Sequence, residues 1–280
     1  MFYLFLVIIC GALITIATRV AESRISSKMG MISVNYMTCF LGMGAVMGYG
    51  NILPGMQLEG WTQTLALAGL TGFLYMAALL MLQINIQKSG VILSSVFQKM
   101  GLLVTVVMSI LFFGEEPNMI QFIGFVLAIA AIILMNYEKG RLKESFKPML
   151  LLLLLVDGSA MAMLKVYNAV GSAQLSDHFL FFNFFFASLF ALAVMVWKKQ
   201  RIGIPEIIHG ISIGVPNFLA ARFLMMALTT VPAIIAYPTK GVGVILVVSL
   251  AGIVLFKERL SKQQWFAMIL VLGAIALLNI

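Results

Sequence analysis

Five ionisable side chains stand where an apolar chain tolerates charge poorly. Lys99, Lys165, Arg222, Lys240 and Asp157 each fall inside a long hydrophobic run. A charge at the centre of a bilayer costs about 2.5–3.5 kcal/mol on insertion scales, so such groups face a cavity or a partner. Four cations and one acid therefore predict a shared polar cavity. Arginine offers a planar fork that suits carboxylate or phosphate, and lysine a mobile point charge. The chemistry expected is the holding of an anionic group by Arg222, Lys240 and Lys99. Lys165 lies near a span end, where it can join them or snorkel to the interface. Asp157 is the candidate for carrying a proton or binding an amino group. A packing salt bridge from Asp157 to Arg222 or Lys165 is the plainer alternative.

Neutral polar groups can orient what the charges hold. Asn217 and Tyr237 rank first, because each adjoins a proline in the runs that carry Arg222 and Lys240. Pro216 and Pro238 free backbone carbonyls that neighbours or cavity water must satisfy. Tyr75 is a further substrate-binding candidate. Asn35, Tyr36, Gln98, Tyr167 and Asn183 are available too, although such residues also serve as ordinary helix–helix glue. The motifs of zinc hydrolases, serine hydrolases and P-loop enzymes are absent, so an enzyme is not expected. No cofactor or metal is expected either. Cys10 and Cys39 sit in apolar runs and predict no disulfide framework.

The elements that position these groups follow from composition. The chain has 280 residues, 62% hydrophobic and only 10% charged, where a soluble domain is near 25% charged. A spanning helix needs about 20 mainly apolar residues. Ten candidate spans result, at 2–20, 32–50, 62–84, 91–113, 119–137, 148–168, 178–197, 205–228, 232–256 and 263–280. The fold class expected is an all-α membrane protein of ten transmembrane helices. The first run lacks a preceding basic residue and a cleavage pattern, so it reads as a retained helix.

Charge then orients the spans. Fourteen Lys and Arg residues lie in the loops after helices 1, 3, 5, 7 and 9, and the even loops hold none. The positive-inside rule puts the odd loops in the cytoplasm and both termini outside. The expected setting is a multi-pass protein of the plasma (inner) membrane. The net charge of +8 is a topology signal here, and nucleic acid is not an expected partner.

The chain also repeats itself. Leu111–Asn136 aligns without a gap on Val254–Asn279, with Phe113 on Phe256, Glu115 on Glu258, Gln121 on Gln264 and Asn136 on Asn279. In each copy an apolar helix ends at a glutamate, and the next starts at Asn118 or Ser261 with Gln three positions on. That is the capping-box pattern. Two halves of five helices must cross the membrane in opposite senses. The expected division is 1–138 and 148–280, two inverted five-helix repeats joined by a basic cytoplasmic connector at 139–147. Many secondary transporters are built so, with a midplane site at the repeat interface.

The ten spans, the inverted repeat and the F-(G/K)-E corner followed by N/S-x-x-Q resemble the drug/metabolite transporter superfamily, EamA type. The second copy carries the pattern most fully, from Pro232 and Tyr237-Pro238 to Phe256-Lys257-Glu258-Arg259-Leu260-Ser261. The first copy has Pro117-Asn118 where the family commonly has Leu-Ser. The resemblance implies transport of small metabolites without ATP. Its sugar-phosphate and nucleotide-sugar branches are similar in placing basic residues on helices 4 and 9, as Lys99 and Lys240 are. The expected activity is secondary transport of a small anionic or zwitterionic metabolite by alternating access, as an exporter or exchanger (antiporter), with a proton or counter-substrate as partner. The alternatives are a flippase for a lipid-linked phosphate, or a drug or amino-acid exporter in which the basic residues are structural.

Overall fold

An apolar chain in lipid must satisfy its own backbone, and helices do so within one segment. The computed structural model describes residues 1–52, 57–89, 94, 97–136, 148–256 and 262–278. Among these residues every regular element is helical. Ten α-helices follow in order: α1 (Phe2–Glu22), α2 (Lys28–Met47), α3 (Trp61–Ser89), α4 (Leu102–Phe113), α5 (Met119–Asn136), α6 (Pro148–Val170), α7 (Ser176–Trp197), α8 (Ile204–Ala227), α9 (Ala233–Phe256) and α10 (Lys262–Leu278). Seven are long and apolar enough to cross a membrane by themselves, and the other three, α4, α5 and α10, are apolar but shorter. The all-helical membrane fold is as expected. The connector 139–147, Glu258 and Ser261 lie outside the described residues.

Helix ends differ from the hydropathy spans for local reasons. α2 begins at Lys28, ahead of the apolar run, because Ser27 caps it: its Oγ accepts from Gly30 N at 2.8 Å. It stops at Gly48, whose φ of +82° suits a residue without a Cβ. α3 runs on past residue 84 despite Gln83, Asn85 and Gln87. Asn85 is fully buried there, and its amide donates to the carbonyls of Met81 (2.9 Å) and Met149 (3.0 Å). The fourth span is interrupted where a continuous helix was expected. Gly101 N bonds Gln98 O and Leu103 N bonds Met100 O, both at 2.9 Å, so the chain tightens into a turn at Met100–Gly101 before α4. The expected capping box is formed at α5. Gln121 N donates to Asn118 Oδ1 at 2.7 Å, and Asn118 N to Gln121 Oε1 at 3.2 Å.

Packing divides the chain into two compact units. The first comprises Met1–Met76 and Met163–Thr229, the second Ala77–Ala162 and Thr230–Ile280. Each draws on both halves of the sequence, and the divisions fall inside α3 and α6. In the first unit α2 packs against both α7 and α8, and α1 against α8. In the second α10 packs on α5, and α9 meets α4, α5 and α10. That second core is small-residue rich: Ala128, Ala131, Val242, Val271 and Ala274 are fully buried beside Leu102 and Ile132. Small side chains let membrane helices approach closely, where dispersion and not the hydrophobic effect holds them.

Candidate functional site

Two polar clusters sit in the apolar bundle, one in each unit. In the second unit, Asp157 on α6 is met by Gln98, whose Nε2 donates to Asp157 Oδ1 at 3.1 Å. Lys240 on α9 is half-buried and near enough for its charge to act on the Asp157 carboxylate. The approach depends on two glycines. A Cβ on Gly101 would stand 3.0 Å from both Asp157 Oδ2 and Gly158 N, and one on Gly158 would collide with Gly101 O. The turn at Met100–Gly101 therefore lies directly against the acid, and Thr105 Oγ1 donates to Gly158 O at 3.3 Å on the far side. Lys99 is exposed, immediately before the turn. Tyr237 is buried, and its hydroxyl donates to Met161 O at 2.8 Å.

The first unit holds Arg222, Asn217, Tyr75 and Lys165. Arg222 on α8 meets Asp177 in the first turn of α7. Nε donates to Oδ1 and an Nη to Oδ2, each at 3.1 Å, a fork-to-fork pair. The carboxylate that Arg222 engages is thus Asp177, and Asp157 takes Gln98. Asn217 Nδ2 donates to Asn35 Oδ1 at 3.2 Å. Cys39 Sγ lies 3.9 Å from the same oxygen and donates to Gly214 O at 3.4 Å. Tyr75 and Lys165 are half-buried on α3 and α6.

Two helix crossings in this unit correspond. Lys28–Met47 aligns without a gap on Ser176–Met195, placing Asn35 on Asn183 and Leu41, Ala45, Val46 and Met47 on identical residues. Gly214 of α8 crosses α2 at Asn35 and Thr38, and Gly72 of α3 crosses α7 at the matching Asn183 and Phe186. The amides differ, however. Asn35 is hydrogen-bonded, whereas neither Oδ1 nor Nδ2 of the fully buried Asn183 has a partner.

Carboxylates and amides also bind the ends of helices. Glu115 at the repeated corner accepts from Ala233 N and Ile234 N, both at 2.9 Å, and so caps α9. Glu206, almost fully buried in the first turn of α8, accepts from Ser26 N, Ser27 N, Ser26 Oγ and Gly203 N. Gln200 Oε1 accepts from Ser27 Oγ and Met29 N. At the other end of this unit, Gln63 Nε2 donates to Val170 O at 3.2 Å, and Tyr167 OH donates to Ser172 O at 3.0 Å.

Asp177 and Glu206 are not conspicuous in the sequence. Each lies at a span edge, where an acid reads as interfacial. The available signal was their place in the first turn of a helix, where an acid meets free N–H groups and the positive end of the dipole. No group of three or more metal-ligating side chains occurs among the described residues.

Comparison with known proteins adds the class. An uncharacterized protein of Haemophilus influenzae (strain KW20 Rd) is 23% identical over 278 residues, covering 96% of this chain and 94% of its own. A protein of known crystal structure superposes with a TM-score of 0.74 at 14% identity, over 99% of this chain and 94% of that one. That likeness concerns the fold alone. The family model of EamA-like transporters matches residues 1–137 and 148–280. With its apolar helices and intramembrane polar clusters, the chain belongs to the EamA-like transporter family, within the drug/metabolite transporters, and is an integral multi-pass membrane protein whose class carries small molecules.

Proposed function

We propose that this protein is a secondary transporter of a small anionic or zwitterionic metabolite, working by alternating access as an exporter or exchanger. The observation that carries this reading is the Gln98–Asp157 pair, with Lys240 in its electrostatic reach, set against the tight turn at Met100–Gly101. Irregular backbone and charge are tolerated in a bilayer where they line a cavity or are buried in protein. Lys240 and Lys99 offer positive charge to an acid group, and Asp157 offers a negative one to an amino group or a proton. Arg222 is the second cationic element, with Asn217, Tyr237, Tyr75 and Lys165 completing the set that orients the substrate. The family model matching two successive stretches, and the corresponding crossings at Gly72 and Gly214, favour two inverted five-helix repeats. The charge bias of the loops favours both termini outside, in a plasma (inner) membrane.

The test is exchange in proteoliposomes loaded with labelled carboxylates or phosphate esters. Lys240→Ala and Arg222→Ala are each expected to abolish exchange while leaving expression and folding intact. Normal exchange in both variants would remove the anion site. A second reading, a drug or amino-acid exporter with structural basic residues, draws on the occupied fork of Arg222. Exchange restricted to neutral or cationic compounds would select it.

A further inference from the structure

The Arg222–Asp177 pair is built like a ligand complex. Both ends of the guanidinium edge are matched to the two oxygens of one carboxylate. The geometry is the one by which arginine recognises a free carboxylate or phosphate. The pair also joins α7, which packs on α2, to α8, which packs on α1 and α2, and these two helices meet one another only slightly. Packing does not seal the pair: the side chains keep exposures of 27% for Arg222 and 35% for Asp177, so another acid group can reach the guanidinium.

We propose that Asp177 is a resident competitor for the anion site: it occupies Arg222 in place of the substrate's acid group and must be displaced for that group to bind. The proposal rests on the reading of Arg222 as an anion ligand. An entering oxyanion exchanges one set of hydrogen bonds for an equivalent set, so Arg222 is never left unpaired. A neutral or cationic compound has nothing to offer the guanidinium and leaves the pair shut. Asp177 therefore sets selectivity: it demands a group with two coplanar oxygens and rejects single-point acceptors. When the substrate leaves, Asp177 returns to Arg222. The released Asp177 carboxylate stays in the first turn of α7, where free backbone N–H groups favour an acid.

The experiment uses purified full-length protein and two probes, succinate and inorganic phosphate, with chloride at equal ionic strength as the control. Binding is read from thermal shift and calorimetric titration in wild type, Asp177→Asn, Asp177→Glu and Arg222→Ala. Asparagine keeps an acceptor in the first turn of α7, so the helix start is preserved. A competitor that fills the site 90–99% of the time weakens apparent affinity by roughly ten- to a hundredfold. Asp177→Asn is thus expected to bind the acid more tightly by that factor, Asp177→Glu to restore the wild-type value, and Arg222→Ala to lose binding. A gain for succinate alone assigns a carboxylate, and a gain for phosphate alone a phosphate ester. An equal gain with chloride overturns the proposal. So does an unchanged affinity in Asp177→Asn when Arg222→Ala still abolishes binding, which leaves the anion reading standing. Equal binding by wild type and Arg222→Ala defeats both. Should Asp177→Asn fail to fold, Asp177→Ser decides, since serine also keeps an acceptor in the first turn of α7 and removes the carboxylate. Tighter binding of either acid probe than in wild type supports the competitor, and unchanged binding of both overturns it.

Discussion

Asp157 and Arg222 meet the cost of intramembrane charge in different ways. Asp157 takes a neutral amide from Gln98 and a cation at longer range from Lys240, while Arg222 takes a full carboxylate. The first gives the acid a neutral hydrogen-bonding partner, and the second matches charge with charge. Asp157→Asn keeps an acceptor for Gln98 and removes the charge. Exchange by this variant is expected to continue but to ignore an imposed pH step across a proteoliposome, whereas wild type responds. A retained response would show that the proton is carried elsewhere. The two matching asparagines make a second contrast. Asn35→Leu strands the Asn217 amide and is expected to cost about 1 kcal/mol of stability. Asn183→Leu removes two unpaired polar atoms from a fully buried position and is expected to leave the melting temperature unchanged or higher. A marked fall in melting temperature for Asn183→Leu alone would contradict the assignment of an unpaired amide. Residue types were readable in sequence, because charge in an apolar run is conspicuous. Partners were not: Asp177 lies 45 positions from Arg222, and nothing local links them.

Elements were legible wherever hydropathy decides them. The apolar runs and the capping box at Asn118 came from composition and local spacing, and the helices follow them. The break before α4 did not, since Gly101 inside an apolar run is indistinguishable from a packing glycine until α6 is laid against it. Gly158→Ala tests that crossing. Its new methyl meets Gly101 O and Val104, and overpacking of this kind costs about 1–3 kcal/mol. The expected outcome is a lowered melting temperature together with reduced exchange. A variant as stable as wild type would show that α4 and α6 separate freely there. Glu115 makes the same point about corners. Its conspicuous place in the repeat suggested corner geometry, yet its carboxylate caps α9, more than a hundred residues away in sequence. Glu115→Ala removes that cap, at about 1 kcal/mol.

For the molecule as a whole, two kinds of order coexist. Two stretches of the first half of the sequence, 28–47 and 111–136, recur in the second, whereas packing gathers α1, α2, α7 and α8 into one unit and α4, α5, α9 and α10 into the other. A repeat is visible in one chain because residues recur at a fixed offset. A packing unit is invisible there, because it depends on which halves of α3 and α6 fall on which side. The transporter class follows from the family, and the substrate's charge rests on Lys240, Lys99 and Arg222. A screen of purified protein against metabolites grouped by charge, read as thermal shift, tests this anion selectivity. Binding to the native state stabilises it by about 2.7 kcal/mol at a hundredfold excess over the dissociation constant. Stabilisation by carboxylated or phosphorylated compounds, lost in Lys240→Ala, is the expected result. Stabilisation by cations or neutral compounds alone, undiminished in Lys240→Ala, would contradict it.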